Sequence, residues 1–154
     1  MFKTGTLVFV LTLAVASSAI AGDNTKGFGL GLMAGEPSGL SAKLWTGTRT
    51  ALDGGLAWSV SENSGAAVHL DYLWHVHDMA KTGKGILPFY YGFGLRYRDR
   101  DDRDGDFGIR IPLGLNYLFA RSAFDVFFEM VPVLDLAPDQ KFSVNLALGA
   151  RYFF

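Results

Sequence analysis

Phe142-Ser143-Val144-Asn145-Leu146-Ala147-Leu148-Gly149-Ala150-Arg151-Tyr152-Phe153-Phe154 closes the chain as an unbroken two-residue alternation. Phe142, Val144, Leu146, Leu148, Ala150, Tyr152 and Phe154 share one face of a strand, and Ser143, Asn145, Ala147, Gly149 and Arg151 share the other. One face suits lipid or a dry core. A soluble terminal strand gains nothing by finishing on bulky rings, whereas in a membrane barrel such rings sit at the level of the lipid headgroups.

Working back from this strand, seven more alternating runs are found, at about 26–35, 40–47, 51–59, 66–76, 87–98, 107–119 and 124–135. Turn-forming residues separate them, including Glu36-Pro37-Ser38-Gly39, Ser61-Glu62-Asn63-Ser64-Gly65 and Ala137-Pro138-Asp139-Gln140. Most runs approach the roughly 9–11 residues that a tilted strand needs to cross a bilayer. Only a closed sheet satisfies every backbone group in lipid, and an even number of strands returns the chain to its starting side. The expected fold is therefore all-β, an eight-stranded antiparallel up-and-down transmembrane β-barrel.

Alternation alone also fits a soluble barrel with an apolar cavity, so the composition of the two faces decides. Phe89, Tyr91, Phe93, Leu95 and Tyr97 share a face opposite Tyr90, Gly92, Gly94, Arg96 and Arg98. The next run sets Phe107, Ile109, Ile111, Leu113, Leu115, Tyr117 and Phe119 against Gly108, Arg110, Pro112, Gly114 and Asn116. Glycines and charges fit a narrow bore, which has no room for a second full set of rings, so the rings are expected outside. Trp45 has the wrong parity for this scheme: either its strand bulges, or its indole lies over the lumen beside Lys43. The other tryptophans, Trp58 and Trp74, fall near strand ends, as interfacial rings do.

The opposite terminus points the same way. Met1-Phe2-Lys3, the apolar stretch Leu7–Ala16 and the small residues Ala19 and Ala21 have the three-part pattern of a secretory leader cut after Ala21. The apolar stretch is shorter than the roughly 20 residues of a spanning helix. Residues 1–21 are thus expected to be a cleaved signal peptide and 22–154 the barrel. The formal charge of −1 offers no basic surplus for nucleic acid, and with no cysteine the fold must hold without disulfides.

Lumen-facing charges are the first candidate site. Asp125 falls almost opposite Arg151, and Glu129 lies within expected reach of Arg110 and Arg96. Lys43, Asp53, His69 and Asp71 are expected to form a second cluster on the opposite wall. Charges in such a bore must be paired, so these residues are read as an ion-pair plug. His69, His75 and His77 share one face and titrate ordinarily near pH 6.5, which keeps open a narrow gated pore. They lie along a single strand, with no second wall for a metal cage, so neither metal nor cofactor is assigned.

The second candidate is the segment from Asp99 to Asp106, read as an outward loop with Arg98, Arg100, Asp101, Asp102, Arg103, Asp104 and Asp106. Its Asp-x-Asp spacing offers oxygen ligands to a divalent cation that would bridge to lipid phosphate, but Asp102-x-Asp104-x-Asp106 lacks the glycine and terminal glutamate geometry of an EF-hand loop, and its arginines serve as internal partners or reach lipid phosphates. A third reading is hydrolysis: Ser59, Ser61, Glu62, His69 and Asp71 hold nucleophile, base and acid in one region. Ser59, Ser61, His69 and Asp71 face the lumen, away from a lipid substrate, so no catalytic residue is assigned.

The ending Gly149-x-x-Tyr152-x-Phe154 resembles the terminal assembly signal of bacterial outer-membrane barrels, and with the leader and eight strands the chain looks like their small eight-stranded group. That resemblance implies an integral place in the outer membrane of a Gram-negative cell. It also implies insertion by the barrel assembly machinery, lipids including lipopolysaccharide as neighbours, and a monomeric state. Members of the group act as anchors, adhesins, porin-like narrow pores and lipid A deacylases or acyltransferases. His69 is followed by Leu70-Asp71, not by the Ser-Asn of the deacylases. The expected role is structural or surface-interacting, with a lipid-modifying enzyme or a low-conductance pore as alternatives.

Overall fold

The computed structural model describes residues 24–35, 38–58, 65–77, 81–100, 103–137 and 139–154, with the side chains of 100, 103 and 104 left aside. The expected leader and its expected cleavage site lie outside them. Among the described residues there are eleven strand segments: β1 (Phe28–Gly35), β2 (Gly39–Trp45), β3 (Thr50–Trp58), β4 (Ala66–Val76), β5 (Lys81–Thr82), β6 (Gly85–Ile86), β7 (Phe89–Arg100), β8 (Arg103–Arg110), β9 (Leu113–Phe119), β10 (Phe124–Ala137) and β11 (Lys141–Phe153).

They build eight staves. β1, β2, β3, β4 and β7 follow one another around the wall, β8 and β9 together form the sixth stave, and β10 and β11 complete it. β11 pairs with β1, so the staves close and none has an open edge. β8 and β9 keep one continuous register against β7 and β10, and what divides them is Pro112, which has no N–H to give. The prolines there still accept: Gly92 N donates to Pro112 O and Ile111 N to Pro132 O, each at 3.0 Å.

Following cross-strand partners around the barrel, from Gly29 through Lys43, Asp53, Asp71, Gly94, Arg110 and Val133 to Ser143, the path climbs by roughly ten residues before meeting β1 again. With eight strands that stagger sets a tilt of roughly 40° and a bore wide enough only for side chains.

The apolar face points outward, as its composition required. Leu32 is 66 % exposed and Phe142 67 %, with Leu70, Phe93, Leu148 and Phe154 close behind, while Arg110 and Lys43 are 0 % exposed. At the terminal end, where β1 begins and β11 finishes, rings gather on the outer wall. Trp74 lies 6.0 Å from Tyr91 and 5.8 Å from Phe93, Tyr117 lies 4.7 Å from Phe119, and Tyr152 lies 5.2 Å from Phe154.

Three expectations need correction. The span from Asp99 to Asp106 is mostly strand, because β7 runs to Arg100 and β8 begins at Arg103. The connection from β4 to β7 carries the small hairpin β5–β6, whose second strand extends the wall by pairing with β9. The bore also holds more rings than glycine counting suggested: Trp45, Tyr90, Phe127 and Phe153 are all buried. They fit because Tyr90, Phe127 and Phe153 each stand directly opposite a glycine of the adjacent stave, Gly114, Gly149 and Gly29 respectively. A Cβ at any of these glycines would strike the ring, and at Gly29 it would lie 2.7 Å from the Phe153 ring carbons.

Candidate functional site

Short backbone distances and long side chains decide which charges meet. Asp125 and Arg151 are register partners on β10 and β11, and Arg151 donates to both carboxylate oxygens, from Nε at 3.1 Å and from Nη2 at 3.0 Å. Its remaining nitrogen, Nη1, reaches Asp53 Oδ2 on β3 at 2.6 Å, bypassing β1 and β2. The guanidinium stands over the Phe127 ring at 4.2 Å. Gly31, opposite Arg151 on β1, lets the two strands lie close, since a Cβ there would strike the Ala150 carbonyl and the Arg151 Cα.

A second group surrounds Arg110. Its Nε donates to Asp71 Oδ1 and Oδ2 at 3.1 and 3.2 Å, and its Nη2 lies 3.5 Å from Glu129 Oε1. Tyr90 donates its hydroxyl to Glu129 Oε2 at 2.9 Å, and His69 Nε2 stands 3.9 Å from Asp71. Towards the other end of the bore, Arg96 Nη2 donates to Asp135 at 2.8 and 3.0 Å.

This partition differs from the expected one. Lys43, Asp53, His69 and Asp71 do not form a cluster of their own: Asp53 belongs to Arg151 and Asp71 to Arg110. Arg96 takes Asp135, not Glu129. The reason is reach, since an arginine arm crosses one or two staves in a bore this narrow and captures carboxylates that strand order would assign elsewhere.

Lys43 has a different environment. Its ammonium donates to Asn116 Oδ1 at 2.8 Å, meets His75 Nε2 at 2.7 Å and lies 4.3 Å over the Trp45 ring. An ammonium can only donate, so His75 accepts through Nε2 and carries its proton on Nδ1, which faces Arg49 O at 3.2 Å. Asn116 in turn donates to Asp125 Oδ2 at 2.9 Å, linking Lys43 to the Arg151 group. β2 contains no bulge, so Trp45 resolves to the lumen alternative.

The indole also helps to close the mouth at the terminal end. Trp45 Nε1 donates to Asn24 O at 3.1 Å, while Asn24 Nδ2 donates to Phe119 O and Phe124 O at 2.9 and 2.6 Å. Asn24 and Asn116 are uncharged amides that a search for ionisable pairs passes over. The signal available in sequence was their inward parity or their place beside a strand start.

Of the other candidate residues, Gly149 lies inside against Phe127, while Tyr152 and Phe154 project outward. Arg98 and Asp106 are cross-strand partners, with Asp106 buried. Asp101 and Asp102, like Ser59, Ser61 and Glu62, lie outside the described residues; Arg100, Arg103 and Asp104 are placed only by backbone, on β7 and β8. Among the described residues no three His, Cys, Asp or Glu side chains converge to hold a metal ion.

A closed eight-stave wall, apolar and ringed with aromatics without and filled with paired charges within, defines an integral β-barrel of the outer-membrane type. Its fold is similar to the crystal structure of the N-terminal β-barrel domain of Pseudomonas aeruginosa OprF, with a TM-score of 0.56 and 18 % identity over 86 % of this chain and 99 % of that domain. No protein-family model matches the chain, and no curated protein does.

Proposed function

We propose that this protein is a structural and surface-interacting component of the outer membrane, a monomeric barrel inserted by the assembly machinery, in contact with lipids including lipopolysaccharide and sealed along its axis by ion pairs. The observation that carries this reading is the double grip of Arg151 on Asp125 and Asp53, which ties staves on opposite sides of the bore together. A conducting channel needs mobile water where these side chains sit fully buried. A charge pair at this depth tolerates no loss of one partner, so the network acts as a cross-brace as well as a plug.

Conductance in planar bilayers tests it. The wild-type barrel is expected to pass almost no current, and R110A or E129A to pass measurably more, because each removes a side chain that fills the bore. Sustained wild-type conductance would refute the sealed-barrel reading. Unchanged, near-zero current in both variants would show that these pairs are not what closes it.

A further inference from the structure

Near the terminal end, the outer wall has a depression of about 520 Å³ whose lining includes Lys84, Phe119, Ser122, Phe124, Val126 and Ala150, together with Asp125, whose carboxylate is fully buried and taken up by Arg151 and Asn116. Its floor is the cross-strand pair Val126 and Ala150, the two small members of a neighbourhood of large groups. Phe124 and Tyr152 pair directly on one side, their rings 5.1 Å apart in a T-shape, and Phe128 and Leu148 pair on the other. Tyr117 stands beside Val126 on β9, and Leu32 beside Ala150 on β1.

The rim is polar. Lys84 sits in the β5–β6 turn, held against the barrel by the Ala120 N to Lys84 O hydrogen bond of 2.8 Å. The hairpin therefore carries a lysine to the edge of the apolar floor, beside the end of β9 and the start of β10. Its ammonium makes no ion pair among the described residues. A narrow apolar trough walled by rings, with a lysine ammonium and a hydroxyl at its mouth, matches a molecule with one acyl chain in the trough and a phosphate at the rim.

We propose that this depression is a binding site for an anionic glycerophospholipid of the leaflet on the terminal side of the barrel. One acyl chain lies on Val126 and Ala150 between the rings, and the headgroup phosphate is held by Lys84 with Ser122 beside it. Charge complementarity selects an anionic over a zwitterionic headgroup, and the missing side-chain volume at Ala150 selects this stretch of wall over its neighbours.

Native mass spectrometry of the folded protein in detergent, with added phosphatidylglycerol or phosphatidylcholine, tests this. The wild-type barrel should retain one phosphatidylglycerol in preference to phosphatidylcholine by roughly fivefold, the discrimination one lysine supplies near a membrane surface. K84E should abolish the preference, and A150F should remove the adduct for both lipids by filling the trough. Heat-modifiable gel migration identifies folded variants, and A150L replaces A150F if the latter does not fold. Absence of a wild-type adduct, equal retention of the two lipids, a preference that survives K84E, or an adduct that survives the filled trough would each overturn the proposal.

Discussion

Replacing Arg151 with methionine keeps most of the side-chain volume but strips two buried carboxylates of their cation. Asp125 is fully buried and Asp53 nearly so, and Arg151 supplies three charge-assisted hydrogen bonds to them, at 3.1, 3.0 and 2.6 Å. Removing one partner of a buried ion pair costs about 3–5 kcal/mol, chiefly because the remaining charge is left uncompensated. Two stranded carboxylates place R151M at the upper end of that range. Asp125 keeps its bond from Asn116, which prevents the cost from doubling. If the penalty comes from stranded charge, neutralising both acids should recover most of it, and R151M/D53N/D125N should lie within about 1–2 kcal/mol of wild type. Urea titration of barrels folded into phosphatidylcholine vesicles, followed by tryptophan fluorescence and gel migration, measures all three proteins. A loss below about 1 kcal/mol for R151M, or a triple variant no more stable than R151M, would refute the account of a cross-braced lumen.

Other substitutions test separate parts of the structure. L148R places a guanidinium on the lipid face and should cost about 2–4 kcal/mol in vesicle unfolding if that face meets hydrocarbon near mid-bilayer; a neutral effect would contradict the orientation of the wall. G94A introduces a Cβ against the Asp71 carboxylate and Leu70 carbonyl opposite, so it should displace the Asp71–Arg110 pair and lower stability by about 1–3 kcal/mol, read from the urea midpoint. W45F removes the indole N–H that Asn24 O accepts, at about 1 kcal/mol, and should speed amide exchange in residues 24–27 with little change in the wall strands; unchanged exchange there would show that Trp45 does not hold that segment.

The direction of the apolar face was legible from sequence in the runs at 87–98, 107–119 and 142–154, because a two-residue period with rings on one side and glycines and charges on the other admits one arrangement in a narrow closed sheet. The Asp125–Arg151 pair was legible for a related reason: the two residues lie on consecutive strands, and register across a hairpin follows from counting back from its turn. Arg96 with Asp135 and Arg151 with Asp53 were not legible, since each pair skips at least one stave. The extra strand length around Asp99–Asp106 was missed because five aspartates and two arginines read as a loop, whereas strand pairing between β7 and β8 overrides that local preference.

By itself the sequence determined an all-β wall, its inside and outside, and the hairpin neighbours, all consequences of period-two geometry acting over a few residues. Only the tertiary structure decided that Arg151 also serves Asp53, that Arg110 serves Asp71 and Arg96 serves Asp135, and that Tyr90, Phe127 and Phe153 fit a crowded bore by each lying across from a glycine. Those outcomes depend on the stagger with which the sheet closes, because it sets which distant side chains share a height in the lumen, and closure is a property of all eight staves together.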